Sequence, residues 1–236
     1  MNKLEKDYRN FAKSEYGVSS LTMDRAQTAI SKSAMQGGLY DPTIIEEREL
    51  NVAPMSVFSR LFMDRILFLG TDVNSDIANV LNSQLMYLNM VDDSSDIKMF
   101  INSPGGSVTD GLAIYDVMNF VEPDIKTYCM GMCASMASVL VSSGAKGKRY
   151  SLPHGSIMLH QVSGGTGLAQ CADIKIVANR IQQDQDILYK ILSENTGKTI
   201  EEITVDADRD HWLTPEEALN YGPHGLIDKI IKKSNE

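Results

Sequence analysis

Ser135 lies in GMCASMASV (131–139), a small, apolar stretch with one central hydroxyl. A serine becomes a nucleophile only with a base in reach, a group that orients the base, and donors for the oxyanion. Four histidines could act as the base: His154, His160, His211 and His224. His160 follows the apolar run Ile157-Met-Leu159 and precedes the glycine-rich SGGTG (163–167). Strand ends beside loops are where α/β folds build their sites. A core histidine satisfied by backbone is the plainer reading of the same residue. His154 sits between Pro153 and Gly155 and reads as part of a turn, and His211 and His224 also lie near turn-forming residues. For the orienting acid, DADRDHW offers Asp206, Asp208 and Asp210, and spacing does not choose among them.

INSPGGS (101–107) is the third piece of chemistry. Two glycines after a strand let backbone N–H groups approach a ligand, an oxyanion or an extended peptide. The segment lacks the form GxxxxGK[ST], which argues against a phosphate loop. Nor is the stretch around Ser135 a GxSxG elbow, because Cys133 and Ala137 stand where the glycines would be. Ser138, Ser142 and Ser143 are close by. From the residues alone, Ser135 is either a nucleophile or a small residue that lets a helix pack closely.

The elements that must hold these residues alternate. Arg65–Leu69 reads as a buried strand closed by Gly70. A helix capped by Asn74 or Ser75 follows, with Ile77, Val80, Leu81, Leu85 and Leu88 at helical spacing. Ile97–Ile101 is a strand, and a helix runs through Leu112, Tyr115 and Met118. Ile125–Met130 is a third strand, and GMCASMASVLVSSG turns into another helix. Arg149–Leu152 and Ser156–His160 are short strands. This alternation predicts an α/β fold with a largely parallel sheet.

A long helical run, Ala169–Asn195, comes next. Its apolar stripe is Ile174, Val177, Ile181, Ile187, Leu188, Ile191 and Leu192, and Gly197 stops it. It exceeds a typical crossover, so it reads as an element that projects and oligomerises. Thr214-Pro-Glu-Glu217 is a well-formed helix start, with Thr at the N-cap and Glu at N3. At the other end, residues 1–38 are polar and weakly periodic, and read as a flexible or removable extension. Residues 39–56 read as irregular, with Pro42 and Pro54 as breakers.

Bulk properties narrow the class. The chain has 236 residues, 43% hydrophobic and 22% charged, with net charge −9. An acidic chain without a Lys/Arg cluster argues against nucleic acid. Three cysteines without CxxC pairs argue against a disulfide framework and a zinc site, and fit a reducing compartment. No apolar run reaches membrane-spanning length. The expectation is a cytoplasmic protein with no metal, no membrane and no nucleic acid.

Three ordered segments carry a resemblance. INSPGGSVTDGLAIYDVM, MGMCASMASVLVSSGAKGKRYSLPHGSIMLHQ and DRDHWLTPEEALNYGPHGLID resemble the proteolytic subunit of the ATP-dependent Clp protease, the ClpP family of serine peptidases. The likeness runs from about Phe58 to Ile231. It implies an α/β, ClpP/crotonase-like fold of repeated β-β-α-type units, with a head domain and a projecting handle helix at about 169–196. The family's catalytic order places the nucleophile on Ser135, the base on His160 and the acid on Asp210. Its oxyanion donors fall on the backbone N–H groups of Gly106 and Met136. Substrate, implied to be unfolded polypeptide, would bind as an added strand along Gly105, Gly106 and Ser107 and along Gly164 and Gly165.

The resemblance also implies partners. Two stacked seven-membered rings would enclose a fourteen-subunit chamber. A hexameric AAA+ Clp ATPase would dock at the rim, with Phe100 as a candidate lining residue. No cofactor is expected, since the partner uses the ATP. Residues 1–38 would be a propeptide, 39–56 an axial pore-loop segment, and 57–236 the peptidase domain. Val162 stands where the family often has Pro, Cys133 stands for a usual Ala, and the loop after His160 is one residue longer. Two other functions compete: a non-catalytic ring subunit, which would usually lack a triad member, and a crotonase-type acyl-CoA enzyme, which would not need this Ser–His–Asp order.

Overall fold

The computed structural model describes residues 43–48 and 51–232. The chain divides into two compact units, residues 1–64 and 65–236. The expected extension at 1–38 lies outside the described residues. In the first unit, β1 (Thr43–Arg48) and β2 (Asn51–Ser56) form an antiparallel hairpin. The segment is therefore paired where the sequence reads as irregular. Pro54 pairs opposite Ile45, and a two-stranded ribbon has an open edge on each strand, where a residue without N–H is tolerated. Helix α1 (Val57–Met63) follows, its start capped by the Ser56 side chain.

The second unit is built on parallel strands. They are β3 (Ile66–Leu69), β4 (Ile97–Ser103), β5 (Ile125–Ala134), β6 (Arg149–Ser151), β7 (Ser156–Leu159), β8 (His211–Leu213) and β9 (Lys229–Ile230). The path runs β3-β4-β5-β6-β9, with β7 on β5 and β8 on β7. Only the β7–β8 pair is antiparallel among these strands. Between them lie α2 (Ser75–Val91), α3 (Val108–Phe120), α4 (Met136–Ser142), α5 (Cys171–Thr196), α6 (Ile200–Asp206) and α7 (Pro215–Leu219). The α/β fold expected from the alternation is what the structure has.

β5 is the pivot. Its first half, Thr127–Cys129, pairs with β6, and its last residues, Met132–Ala134, pair with β7. The two halves are joined by a bulge in which the register against β4 slips between Ile101 and Ser103. Gly131 sits in that bulge at φ 83°. A Cβ there would meet Asn102 Oδ1 at 2.7 Å, and the same oxygen accepts the Met132 N–H at 3.1 Å. The sequence reads Gly131 as a strand end. It is instead a bend filled by Asn102, and the strand continues to Ala134.

The core lies between this sheet and its helices. Leu67, Leu69, Met99, Ile101, Leu81, Leu85, Ile114, Leu140, Ile157 and Leu159 are fully buried. Val80, expected on the buried stripe of α2, is 52% exposed; Ala78, Leu81, Leu85 and Leu88 carry that face. In α5 the buried residues cluster in the C-terminal half, at Asp184, Leu188, Tyr189, Ile191, Leu192 and Thr196. Ile174 and Ile187, expected in its apolar stripe, are exposed, as are Leu168 and Ile176. Gly197 closes α5 in the left-handed conformation, and Thr214 and Glu217 form the expected capping box.

One arginine ties the late segments together. Arg149 is 2% exposed and donates to both carboxylate oxygens of Asp228, at 2.6 and 3.0 Å. Its remaining N–H groups reach the carbonyls of Ser142, Asn195, His224 and Gly225. Burial alone would raise the Asp228 carboxyl, but the Arg149 bonds outweigh it and hold the group below the usual carboxylate range.

Candidate active site

β5 runs directly into α4, and Ser135 is the junction. Its backbone sits at φ 54°, ψ −125°, a conformation that costs a non-glycine residue about 1–3 kcal/mol. The Ser135 N–H donates to the Met158 carbonyl of β7 at 2.9 Å, which fixes the elbow to the neighbouring strand. The nearby serines use their hydroxyls locally. Ser138 donates to the Ser135 carbonyl at 2.6 Å, while Ser142 and Ser143 donate to the Val139 carbonyl at 2.8 and 2.7 Å. Ser138 and Ser142 are packing serines of a helix that is buried along its whole length, and Ser143 is its half-buried C-cap. Among the described residues, the Ser135 hydroxyl has no hydrogen-bond partner, and it does not cap α4.

The glycine pair of INSPGGS presses against this elbow. Gly105 is at φ 91°, and a Cβ on it would lie 2.6 Å from the Ala134 carbonyl oxygen and 2.9 Å from the Met136 nitrogen. Gly106, at φ 146°, forms a parallel bridge with Val73. Val73 N–H donates to the Gly105 carbonyl and Ser107 N–H to the Val73 carbonyl, both at 2.8 Å. In that ladder the middle residue turns its own N–H away from its partner strand. Met136 opens α4, where a first-turn N–H has no partner within the helix. Both N–H groups are thus of the kind that can receive negative charge beside Ser135.

His160 follows the last residue of β7. It lines a cleft of about 50 Å³ with Gly106, Ser135 and Met136, walled by the apolar Val139, Leu188, Tyr189 and Leu192. Behind it, His160 Nδ1 lies 3.4 Å from Asp210 Oδ1. The other acids of DADRDHW are engaged elsewhere. Asp206 accepts from Lys198 and from the Tyr221 hydroxyl, the latter at 2.8 Å. Burial would raise Asp206, but those donors hold it down, and the Tyr221 phenol is pushed up by burial and by Asp206. Asp208 pairs with Arg209 at 3.2 Å. His211 Nδ1 reaches the Asp206 carbonyl, at 3.2 Å, rather than the cleft. His154 and His224 are exposed and do not line it.

Comparison with known proteins decides the family. The family model described as Clp protease matches residues 50–234. The chain belongs to the Clp protease family. Relatives named "ATP-dependent Clp protease proteolytic subunit" include one from Bacteroides fragilis (strain YCH46), 47% identical over 96% of this chain and 99% of the relative. One from Porphyromonas gingivalis is 45% identical over 98% and 99%. Another, from Bacteroides thetaiotaomicron, is 46% identical over 96% and 99%.

Other residues expected to matter in this Clp protease family member fall as follows. Ser107 caps α3 through a bond from the Asp110 N–H at 3.3 Å. Gly164 packs beside Ile181 of α5, and Gly165 is open. Phe100 lies on the other face of β4, stacked between Phe68 (5.5 Å) and Tyr128 (4.5 Å), with Tyr150 beyond at 4.8 Å. These four rings occupy one level across four parallel strands. Gly111 of α3 escaped the sequence reading. A Cβ on it would meet Met136 Cγ at 2.2 Å, and its only sequence signal is a glycine inside a helical pattern. Among the described residues, no group of three or more metal-binding side chains occurs, and no helix is long and apolar enough to cross a membrane.

Proposed function

We propose that this Clp protease subunit is a serine endopeptidase of unfolded polypeptide, with Ser135 as nucleophile, His160 as base and Asp210 as orienting acid. His160 takes the Ser135 proton as the hydroxyl attacks the peptide carbonyl, then returns it to the leaving amine. Asp210 holds the imidazole and stabilises the imidazolium. The Gly106 and Met136 N–H groups receive the oxyanion, each worth about 3–4 kcal/mol to the transition state. The observation that carries this reading is Ser135 itself: a strained junction residue with an unengaged hydroxyl, facing the same cleft as His160.

Substrate lies as an added strand along Gly105–Ser107 and the loop bearing Gly164 and Gly165, held chiefly by main-chain bonds. The subunit works in the cytoplasm within two stacked heptameric rings. Exposed Ile174, Ile176 and Ile187 on α5 support an assembly role for that helix, and the free thiols of Cys129, Cys133 and Cys171 support a reducing compartment. A hexameric AAA+ ATPase docks near the ring of Phe100 and uses the ATP; the subunit needs no cofactor. The test is a fluorogenic-peptide assay with Ser135→Ala, which should lose activity on the order of 10⁶-fold. Labelling of wild-type protein by a fluorophosphonate should map to Ser135. Normal turnover by Ser135→Ala overturns the assignment.

A further inference from the structure

His160 and Asp210 meet where a ladder stops. β7 and β8 pair antiparallel as Ile157 with Leu213, Met158 with Trp212 and Leu159 with His211. The same register carried one step further sets His160 opposite Asp210. Cross-strand neighbours lie close enough for side chains to touch, which is why these two do. No backbone pairing holds this last step, however, and ladder ends fray. The 3.4 Å contact is longer than a good hydrogen bond, and the Asp210 side chain is 63% exposed.

Two side chains replace the missing ladder bonds. Gln161 Nε2 donates to the Asp208 carbonyl at 3.0 Å, across the same frayed end. The Val162 N–H donates to Gln185 Oε1 of α5 at 3.3 Å. The strand carrying the base is thereby clamped to the loop carrying the acid on one side and to the long helix on the other. A proline at 162 would have no N–H to give.

We propose that Gln161 and Gln185 are positioning residues that hold His160 and Asp210 in register beyond the end of the β7–β8 ladder. This rests on the Ser135–His160–Asp210 reading above. Gln161 fixes the acid loop by its amide donor, and Gln185 fixes the strand end through Val162. Gln161 lines the cleft, but the side-chain bonds of both glutamines go to the Asp208 carbonyl and the Val162 N–H and not to Ser135, His160 or Asp210.

The experiment measures kcat and KM for peptide cleavage, and the amount of folded protein, for full-length wild type, Gln161→Met, Gln161→Lys, Val162→Pro, Gln185→Leu and the last two combined. Gln161→Met keeps the length and removes the donor. Its kcat should fall about ten- to a hundredfold, as expected for a slightly misplaced catalytic group. Its KM should stay near the wild-type value, because a misplaced acid loop weakens the reacting geometry and not peptide binding, so the loss falls on kcat. Gln161→Lys, which keeps an N–H donor, should recover part of the turnover. Val162→Pro and Gln185→Leu break one bond from its two ends, so the double variant should be no worse than either single. A Gln161→Met enzyme with unchanged kcat overturns the proposal. So does a loss that follows only the amount of folded protein, with kcat per folded subunit unchanged. Ser135→Ala is run beside them: if it retains turnover, the triad reading fails, whereas an inactive Ser135→Ala with an unaffected Gln161→Met sinks the clamp alone.

Discussion

A side chain on Gly105 would begin 2.7 Å from the Cβ of Ser135. The two backbones touch, and the touch places the INSPGGS turn beside the junction. Gly105→Ala adds both this clash and a strained φ of 91°. We expect turnover to fall at least tenfold and fluorophosphonate labelling to slow in parallel. Wild-type labelling rates in folded Gly105→Ala would show that the contact does not shape the site.

Ser135→Gly relieves the φ 54° strain that Ser135→Ala keeps. Denaturant unfolding should find the glycine variant more stable than the alanine variant by about 1–2 kcal/mol, with both inactive. Equal stabilities would remove strain from the account of this elbow.

Gly111→Ala should go against helix propensity. Alanine normally gains about 1 kcal/mol over glycine inside a helix. Here its methyl would overlap Met136 Cγ, with only 2.2 Å between the atoms. Overpacking of this kind costs about 1–3 kcal/mol, and Met136 would be displaced from the start of α4. A lower melting temperature with reduced kcat is expected, and a more stable, fully active variant would contradict it.

The Arg149–Asp228 pair sets an acid limit on stability. Asp228 is held below the usual carboxylate range in the folded chain, so its contribution is present above the unfolded value of about 4 and is lost as pH falls through the folded value. Asp228→Ala leaves a nearly buried guanidinium without its carboxylate and should cost about 3–5 kcal/mol. Below that range the gap between wild type and variant should close. A gap independent of pH would show that the ion pair is not its source.

The parallel strands were legible from short patterns: β3 is an apolar run, while β4 and the start of β5 alternate buried, mostly apolar residues with part-exposed ones such as Lys98 and Lys126. Caps were legible because their chemistry is local, as at Thr214 and Gly197. What needed three dimensions was anything set by a distant segment. Gly131 looks like a terminator until Asn102, from another strand, fills its bulge. Which of Asp206, Asp208 and Asp210 meets His160 depends on Lys198 and Tyr221, which engage Asp206, and on the β7–β8 register, none of which shows in local spacing. Likewise the stripe of α5 looks continuous, yet only its C-terminal half has the sheet unit to pack on.

The cleft draws on Gly106, Ser135 and His160, and Asp210 reaches its histidine only once β8 has zipped onto β7. Contacts this far apart along the chain form late, because loop closure must come first. A nascent chain halted before residue 210 holds Ser135 and His160 but lacks the carboxylate that meets the imidazole. The Ser135–His160–Asp210 grouping is therefore complete only after the C-terminal segment has been made and folded back onto β7.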